Sequence, residues 1–97
     1  MFTLRFTKSA WKDMGFLRKS EQQTIVGAVE EQLVHEPLKE TRNRKPLRPN
    51  DLSKWELRVG DFRVFYDVVE ESHETVIKAV GRKEHNKLLI RGKEYAL

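Results

Sequence analysis

The stretch WELRVGDFRVFY, residues 55–66, places two runs of alternating apolar and polar residues on either side of Gly60-Asp61. A two-residue connection containing glycine between such runs predicts a tight β-hairpin. Its register follows from the turn: Val59 faces Phe62, Arg58 faces Arg63, and Trp55, Leu57, Val59, Phe62, Val64 and Tyr66 share one side. That apolar side is expected to lie on the core. The other side carries Glu56, Arg58, Arg63 and Phe65, with Lys54 and Asp67 at its edge. Two arginines facing each other repel, on the scale of about 0.2–1 kcal/mol for cross-strand pairs. Either a neighbouring carboxylate, Glu56, neutralises them, or an external anion does.

Working outward, FTLRFT (residues 2–7) alternates as a half-buried strand should. Ala10, Trp11, Met14, Phe16 and Leu17 are spaced as on a helix over residues 8–19, perturbed by Gly15. Ser20 with Gln23 three residues on resembles a capping box, and Ile25, Val26, Val29, Leu33 and Val34 carry a second helix to His35, with Pro37 beyond it. Residues 37–53 hold all three prolines and no sustained periodicity, which predicts a long basic loop; loops of that length usually serve a function. Strands are expected at 54–59, 62–70 and 75–81, the last with Ile77, Ala79 and Gly81 alternating against Val76, Lys78 and Val80. The reading is α+β: two N-terminal helices packed on one face of a small twisted antiparallel sheet of about four strands, then a short C-terminal helix or tail. Residues 1–97 form a single domain.

A chain of 97 residues supports one modest core, so a surface groove is a more natural active site than a deep cavity. There is no cysteine, no apolar run long enough to span a bilayer, and no apolar leader in MFTLRFTKSAW, which points to the cytoplasm and away from a membrane. Thiol chemistry and cysteine zinc sites are excluded, and three scattered histidines do not suggest a metal site. The net charge of +4 is unevenly placed: residues 39–63 carry eight basic and four acidic side chains, and residues 78–93 six and one. Basic blocks of this kind favour a polyanionic partner.

The block VGRKEHNKLLIRGKEY (residues 80–95) adds Arg82, Lys83, His85, Lys87, Arg91 and Lys93 to the hairpin's arginines. RNA cleavage without a metal or cofactor needs a base for the 2′-hydroxyl, cations for the phosphorane and an acid for the departing 5′-oxygen. Glu56 or Lys54 is the candidate base, Arg58 and Arg63 are the charge stabilisers, and Lys83 or His85 is the candidate acid. Arg44, Lys45 and Arg48 of the loop, with Arg82 and Lys87, are candidate RNA contacts. His35, at a helix end, and His73, in a turn, read as structural or incidental. No Gly-rich phosphate loop, serine nucleophile motif or carboxylate cluster is present.

The ordered segments KPLRPNDLSKWELRVGDFRVFYDVVEES and VIKAVGRKEHNKL resemble the bacterial RelE/ParE toxin superfamily over nearly the whole chain. The resemblance implies a toxin of a type II toxin–antitoxin pair, partnered by a cognate antitoxin in a hetero-oligomer. For the RelE branch it implies a metal-independent endoribonuclease that enters the ribosome and cuts mRNA, leaving a 2′,3′-cyclic phosphate and a 5′-hydroxyl. Arg63 then matches the arginine at the scissile phosphate, and Arg82 or Lys83 the basic position that assists the leaving group. Lys54 and Glu56 match a pair that is usually two lysines, and Leu89 stands where a base-stacking tyrosine is usual, with Tyr95 six residues further on. Two other readings fit the same chain: a ParE-like toxin that inhibits DNA gyrase, and a non-catalytic nucleic-acid or protein-binding module.

Overall fold

Gly60 takes a positive φ of 58° while Asp61 does not, the pattern of a type II′ turn, in which glycine fits the first central position. The computed structural model describes residues 1–97 and forms the expected hairpin, β3 (Trp55–Val59) against β4 (Phe62–Val69), with Val59 opposite Phe62 and Arg58 opposite Arg63. The other elements are β1 (Thr3–Phe6), α1 (Lys8–Met14), α2 (Lys19–Gln32), β2 (Arg44–Pro46), β5 (Glu74–Glu84), β6 (Lys87–Ile90) and β7 (Lys93–Tyr95). The sheet has seven strands, not about four, in the order β2-β3-β4-β5-β6-β7 with β1 paired to β5. It is not wholly antiparallel, because β1 runs parallel to β5.

The C-terminal stretch is strand, not helix or tail, for a local reason. His85 and Asn86 both adopt positive φ (49° and 68°), as do Arg91 and Gly92 (54° and 76°). Each pair forms a two-residue turn of type I′ geometry, closing Glu84 on Lys87 and Ile90 on Lys93. Within the long loop, Arg44–Pro46 pairs with Trp55–Leu57 as an edge strand, the position in a sheet where proline is tolerated.

The helices are shorter than their apolar spacing suggests. Thr7 Oγ1 accepts the Ala10 N–H (3.1 Å) at the start of α1, and Gly15 ends it. Gln22 Nε2 donates to the Met14 and Leu17 carbonyls (2.9 and 3.0 Å), which satisfies the turn between the helices. The cap of α2 lies at Arg18 and Glu21, not Ser20 and Gln23: the Glu21 carboxylate accepts the Arg18 N–H (2.9 Å). An anion in the first helical turn also suits the helix dipole. α2 ends at Gln32, before His35, and the chain beyond is stitched to the sheet. Thr75 donates to the Leu33 carbonyl (2.9 Å), and Tyr66 to the Pro37 carbonyl (2.7 Å).

Both helices pack on one side of the sheet. Ala10, Met14, Ile25, Val29 and Leu33 meet Leu57, Val64, Tyr66, Ile77 and Val80 in the main core. A second cluster, Phe65, Ala79 and Leu88, lies on the opposite side under Leu47, Leu52, Ile90 and Tyr95. The strict alternation expected for β5 fails at Lys78. Phe65 faces Ala79 and Tyr66 faces Ile77, so Lys78 is an unpaired bulge residue, and Ile77 and Val80 both reach the helix side.

Burial pushes the Tyr66 phenol above its usual range, against a smaller opposing effect of Arg44. A group whose folded pKa is raised stabilises the fold fully below its unfolded value, near 10, and loses that contribution as pH rises through the folded value. Tyr66→Phe is therefore expected to cost about 1–2 kcal/mol at neutral pH through the lost hydrogen bond. Melting curves taken at rising alkaline pH should show a shallower loss of stability in the variant than in the parent; parallel curves would contradict this account.

Candidate active site

The side of the sheet away from the helices carries the facing arginines. The Arg58 N–H donates to the Asn43 carbonyl of the adjoining chain (2.7 Å), so Arg58 and Arg63 are a pair without mutual backbone hydrogen bonds. In such pairs the Cα atoms approach to about 4.5 Å and the side chains lie close. Arg63 resolves part of the repulsion by folding toward its own turn, where Nη1 donates to the Gly60 and Phe62 carbonyls, each at 2.8 Å. Burial lowers the Arg63 pKa from its usual value and the Arg58 charge lowers it further, while Glu56 and Asp61 act in the opposite direction. An arginine stays protonated under such shifts.

Glu56 lies on the same side and is only 5% exposed. Lys45, opposite it on β2, holds its carboxylate at 3.8 Å. Lys54 lies two residues before Glu56, with an exposed side chain and its backbone N–H on Asp67 Oδ1 (2.7 Å). Lys83 also belongs to this side: β4 pairs Arg63 with Gly81, and two residues along β5 brings Lys83 out beside the turn, where its N–H donates to the Asp61 carbonyl (2.7 Å). Its side chain is exposed.

The structure thus separates Arg82 from Lys83. Arg82 faces Phe62 across the strands and points to the helix side, where it bridges Glu21, lies 4.0 Å from Glu84 and stacks over the Phe62 ring at 4.9 Å. The Arg18 N–H, then the Arg82 charge, hold the Glu21 carboxyl below its usual range against the opposing pull of burial. Arg44 is likewise turned to the helix side, where its guanidinium donates to the Gln32 and Lys39 carbonyls at the exit of α2. His85 stands exposed at the β5–β6 turn, Lys87 pairs with Glu94 at 3.7 Å, and Arg48 is exposed in the loop. Of the residues expected from the sequence, Lys54, Glu56, Arg58, Arg63 and Lys83 come together on one side, with Lys45 attached to Glu56. Arg44, Arg82 and Lys87 do not join them: Lys87 alternates with Leu88 to the side of Leu89 and pairs there with Glu94.

Sequence reasoning did not foresee the Lys45–Glu56 pair, because a three-residue edge strand in a proline-rich loop leaves no periodic signal. Tyr95 is similarly placed by the unforeseen β6–β7 hairpin: it lies opposite Leu88, which lies opposite Lys83. Leu89 instead lines a helix-side groove with Phe16 and Leu17. Gly81, opposite Arg63, has a definite steric reason. A Cβ there would sit 2.8 Å from the Leu89 carbonyl oxygen and 3.0 Å from side-chain atoms of both Leu88 and Ile90. Gly81→Ala is expected to destabilise by about 1–3 kcal/mol, as overpacking does, and a melting temperature equal to the parent's would refute that.

Chemically, this side offers two guanidiniums and an ammonium to an anion, beside a carboxylate and a second lysine. The family model for the ParE toxin of type II toxin–antitoxin systems matches residues 4–86. The chain is a RelE/ParE superfamily toxin. The toxin–antitoxin complex RelBE2 of Mycobacterium tuberculosis contains a similar chain, 30% identical with a TM-score of 0.73, covering 84% of this toxin and 98% of that chain. The archaeal RelE–RelB complex of Pyrococcus horikoshii shares the fold at 20% identity and a TM-score of 0.66, over 84% of this toxin and 93% of that chain. No curated protein matches the toxin's sequence. The family match takes in every residue of the cationic side from Lys45 to Lys83 and ends in the β5–β6 turn, so β6, β7 and Tyr95 lie beyond it. No helix of the toxin is long and apolar enough to cross a membrane.

Proposed function

We propose that the toxin is a metal-independent endoribonuclease that cuts mRNA on the ribosome and so halts translation. The observation carrying this reading is the gathering of Arg58, Arg63 and Lys83 on the side of the sheet away from the helices, with Glu56 and Lys54 beside them. In the proposed reaction Glu56 or Lys54 takes the proton of the 2′-hydroxyl, whose oxygen attacks the adjacent phosphorus. Arg63 and Arg58 hold the charge gathering on the phosphorane, where preorganised donors act most strongly. The bond to the 5′-oxygen then breaks, and Lys83, or His85 at the neighbouring turn, supplies its proton. The products are a 2′,3′-cyclic phosphate and a 5′-hydroxyl. Arg48, exposed in the loop, extends the cationic surface on which the RNA backbone rests.

The partners follow from the same reading: ribosome and mRNA as target in the cytoplasm, and a cognate antitoxin as inhibitor. The RelBE2 and archaeal RelE–RelB structures, both solved as complexes, support the antitoxin partnership. One observation favours a second reading, inhibition of DNA gyrase: the family model that matches is the ParE one. Pulse labelling after induction without an antitoxin separates the two. The ribonuclease reading expects protein synthesis to stop first with newly cut mRNA; DNA synthesis stopping while translation continues would give the case to gyrase.

A further inference from the structure

Arg82 looks from the sequence like one more cation for RNA, yet the fold turns it to the back of the sheet and engages it there. Its guanidinium bridges Glu21 in the first turn of α2 and lies 4.9 Å over the ring of Phe62. Glu21 is itself anchored by the Arg18 N–H at 2.9 Å and by the Arg18 guanidinium at 3.5 Å, and Glu84 lies 4.0 Å from Arg82. Phe62 is the last residue of the hairpin turn, and its carbonyl is one of the two that receive Arg63 Nη1 on the front. On the other flank the Lys83 N–H holds the Asp61 carbonyl. The turn is thus clamped behind by Arg82 and beside by Lys83, and Arg63 is aimed from the carbonyls of that clamped turn.

We infer that Glu21 and Arg82 form a positioning pair, which acts through Phe62 and the Gly60-Asp61 turn to fix the direction of Arg63. The inference rests on the ribonuclease reading for its catalytic consequence, but not for its structural one. A stacked, planar guanidinium is what the site uses. A lysine would keep the charge toward Glu21 and lose the flat contact with the ring. Misplacement of a catalytic group by about 1 Å costs up to about a hundredfold in rate; a loosened turn should cost less.

The test compares Arg82→Met, Arg82→Lys and Glu21→Gln. In cleavage of ribosome-bound mRNA, all three are expected to lower kcat, about tenfold for Arg82→Met, a fraction of the cost of a misplaced catalytic group, with KM unchanged within about twofold. Glu21→Gln combined with Arg82→Met should be no worse than Arg82→Met alone, because the pair acts as one unit. An RNA contact at Arg82 would behave differently: Arg82→Lys would be nearly silent, KM would rise in Arg82→Met, and Glu21→Gln would bind RNA no worse. Any of these three results overturns the inference.

A second readout needs no cleavage. The NMR signal of the Arg63 Nη1 protons, the donors to the Gly60 and Phe62 carbonyls, is expected to shift, and their exchange with solvent to quicken, in both Arg82→Met and Glu21→Gln, while melting temperatures confirm that the variants are folded. An Arg63 signal unchanged in both variants overturns the positioning role. If the parent protein cuts no RNA, the ribonuclease reading fails, and the NMR result alone then decides whether the pair aims Arg63.

Discussion

Arg63→Ala is expected to slow cleavage of ribosome-bound mRNA by roughly a hundredfold to a thousandfold, the loss typical of removing one preorganised charge stabiliser. The effect should fall on kcat, since the contact strengthens as charge builds on the phosphorane. Stability should change by less than about 0.5 kcal/mol, as for surface substitutions in general. The two hydrogen bonds that Arg63 makes to the Gly60 and Phe62 carbonyls are lost, but so is its repulsion with Arg58. Arg58→Ala should be milder if the main role of this exposed side chain is binding. The decisive comparison is rate against melting temperature. An Arg63→Ala protein that melts several degrees earlier yet cuts normally when folded would make Arg63 a structural residue neutralised by Glu56.

The largest loss of stability is expected from Asp13→Ala. Asp13 is 3% exposed, and each carboxylate oxygen has its own partner. Oδ2 accepts the Val80 N–H at 3.0 Å, and Oδ1 accepts Arg91 Nε at 2.6 Å. Its position explains the need. β5 pairs with β1 through Ile77 and with β6 from Arg82 onward, and between them α1 must serve β5's open backbone. Asp13 does so at Val80. Its removal strands a buried N–H and leaves Arg91 without its counter-ion, at a cost of about 3–5 kcal/mol. For a domain of this size that lowers the melting temperature by more than about 10 °C. Asp13→Asn keeps an acceptor for Val80 and should fall between the two. A melting temperature for Asp13→Ala close to the parent's would show that the carboxylate is not what closes this gap.

The central hairpin was legible because Gly60-Asp61 fixed the turn and alternation then fixed every facing pair, Arg58 with Arg63 included. The helices were legible from the spacing of Ile25, Val29 and Leu33. What escaped depended on distant partners. Positive φ, as at His85 and Arg91, is uncommon among non-glycine residues, so neither turn announced two further strands. Arg91 is held there by hydrogen bonds to Asp13 and Ser9, far back in the chain. The bulge at Lys78 left no mark in the pattern of residues 75–81. The choice between Arg82 and Lys83 could not be made while the strand was expected to stop at Gly81; once β5 runs on to Glu84, alternation decides it. Lys45 and Glu56 found each other only because a fragment of the loop became an edge strand.

The parallel pairing of β1 with β5 has a consequence for when the protein becomes a toxin. Thr3 meets Glu74 and Phe6 meets Ile77, so β1 leaves the ribosome 71 positions ahead of its neighbour. At about 5–20 residues per second that lead is roughly 4–14 seconds. Meanwhile β1 and the apolar stripe of α1 have no sheet to lie on. The hairpin carrying Arg58 and Arg63 closes from adjacent residues, but Lys83 arrives on the same late strand that receives β1. The final third of the chain therefore completes the N-terminal packing and the cationic side together, and a nascent chain short of that point has neither.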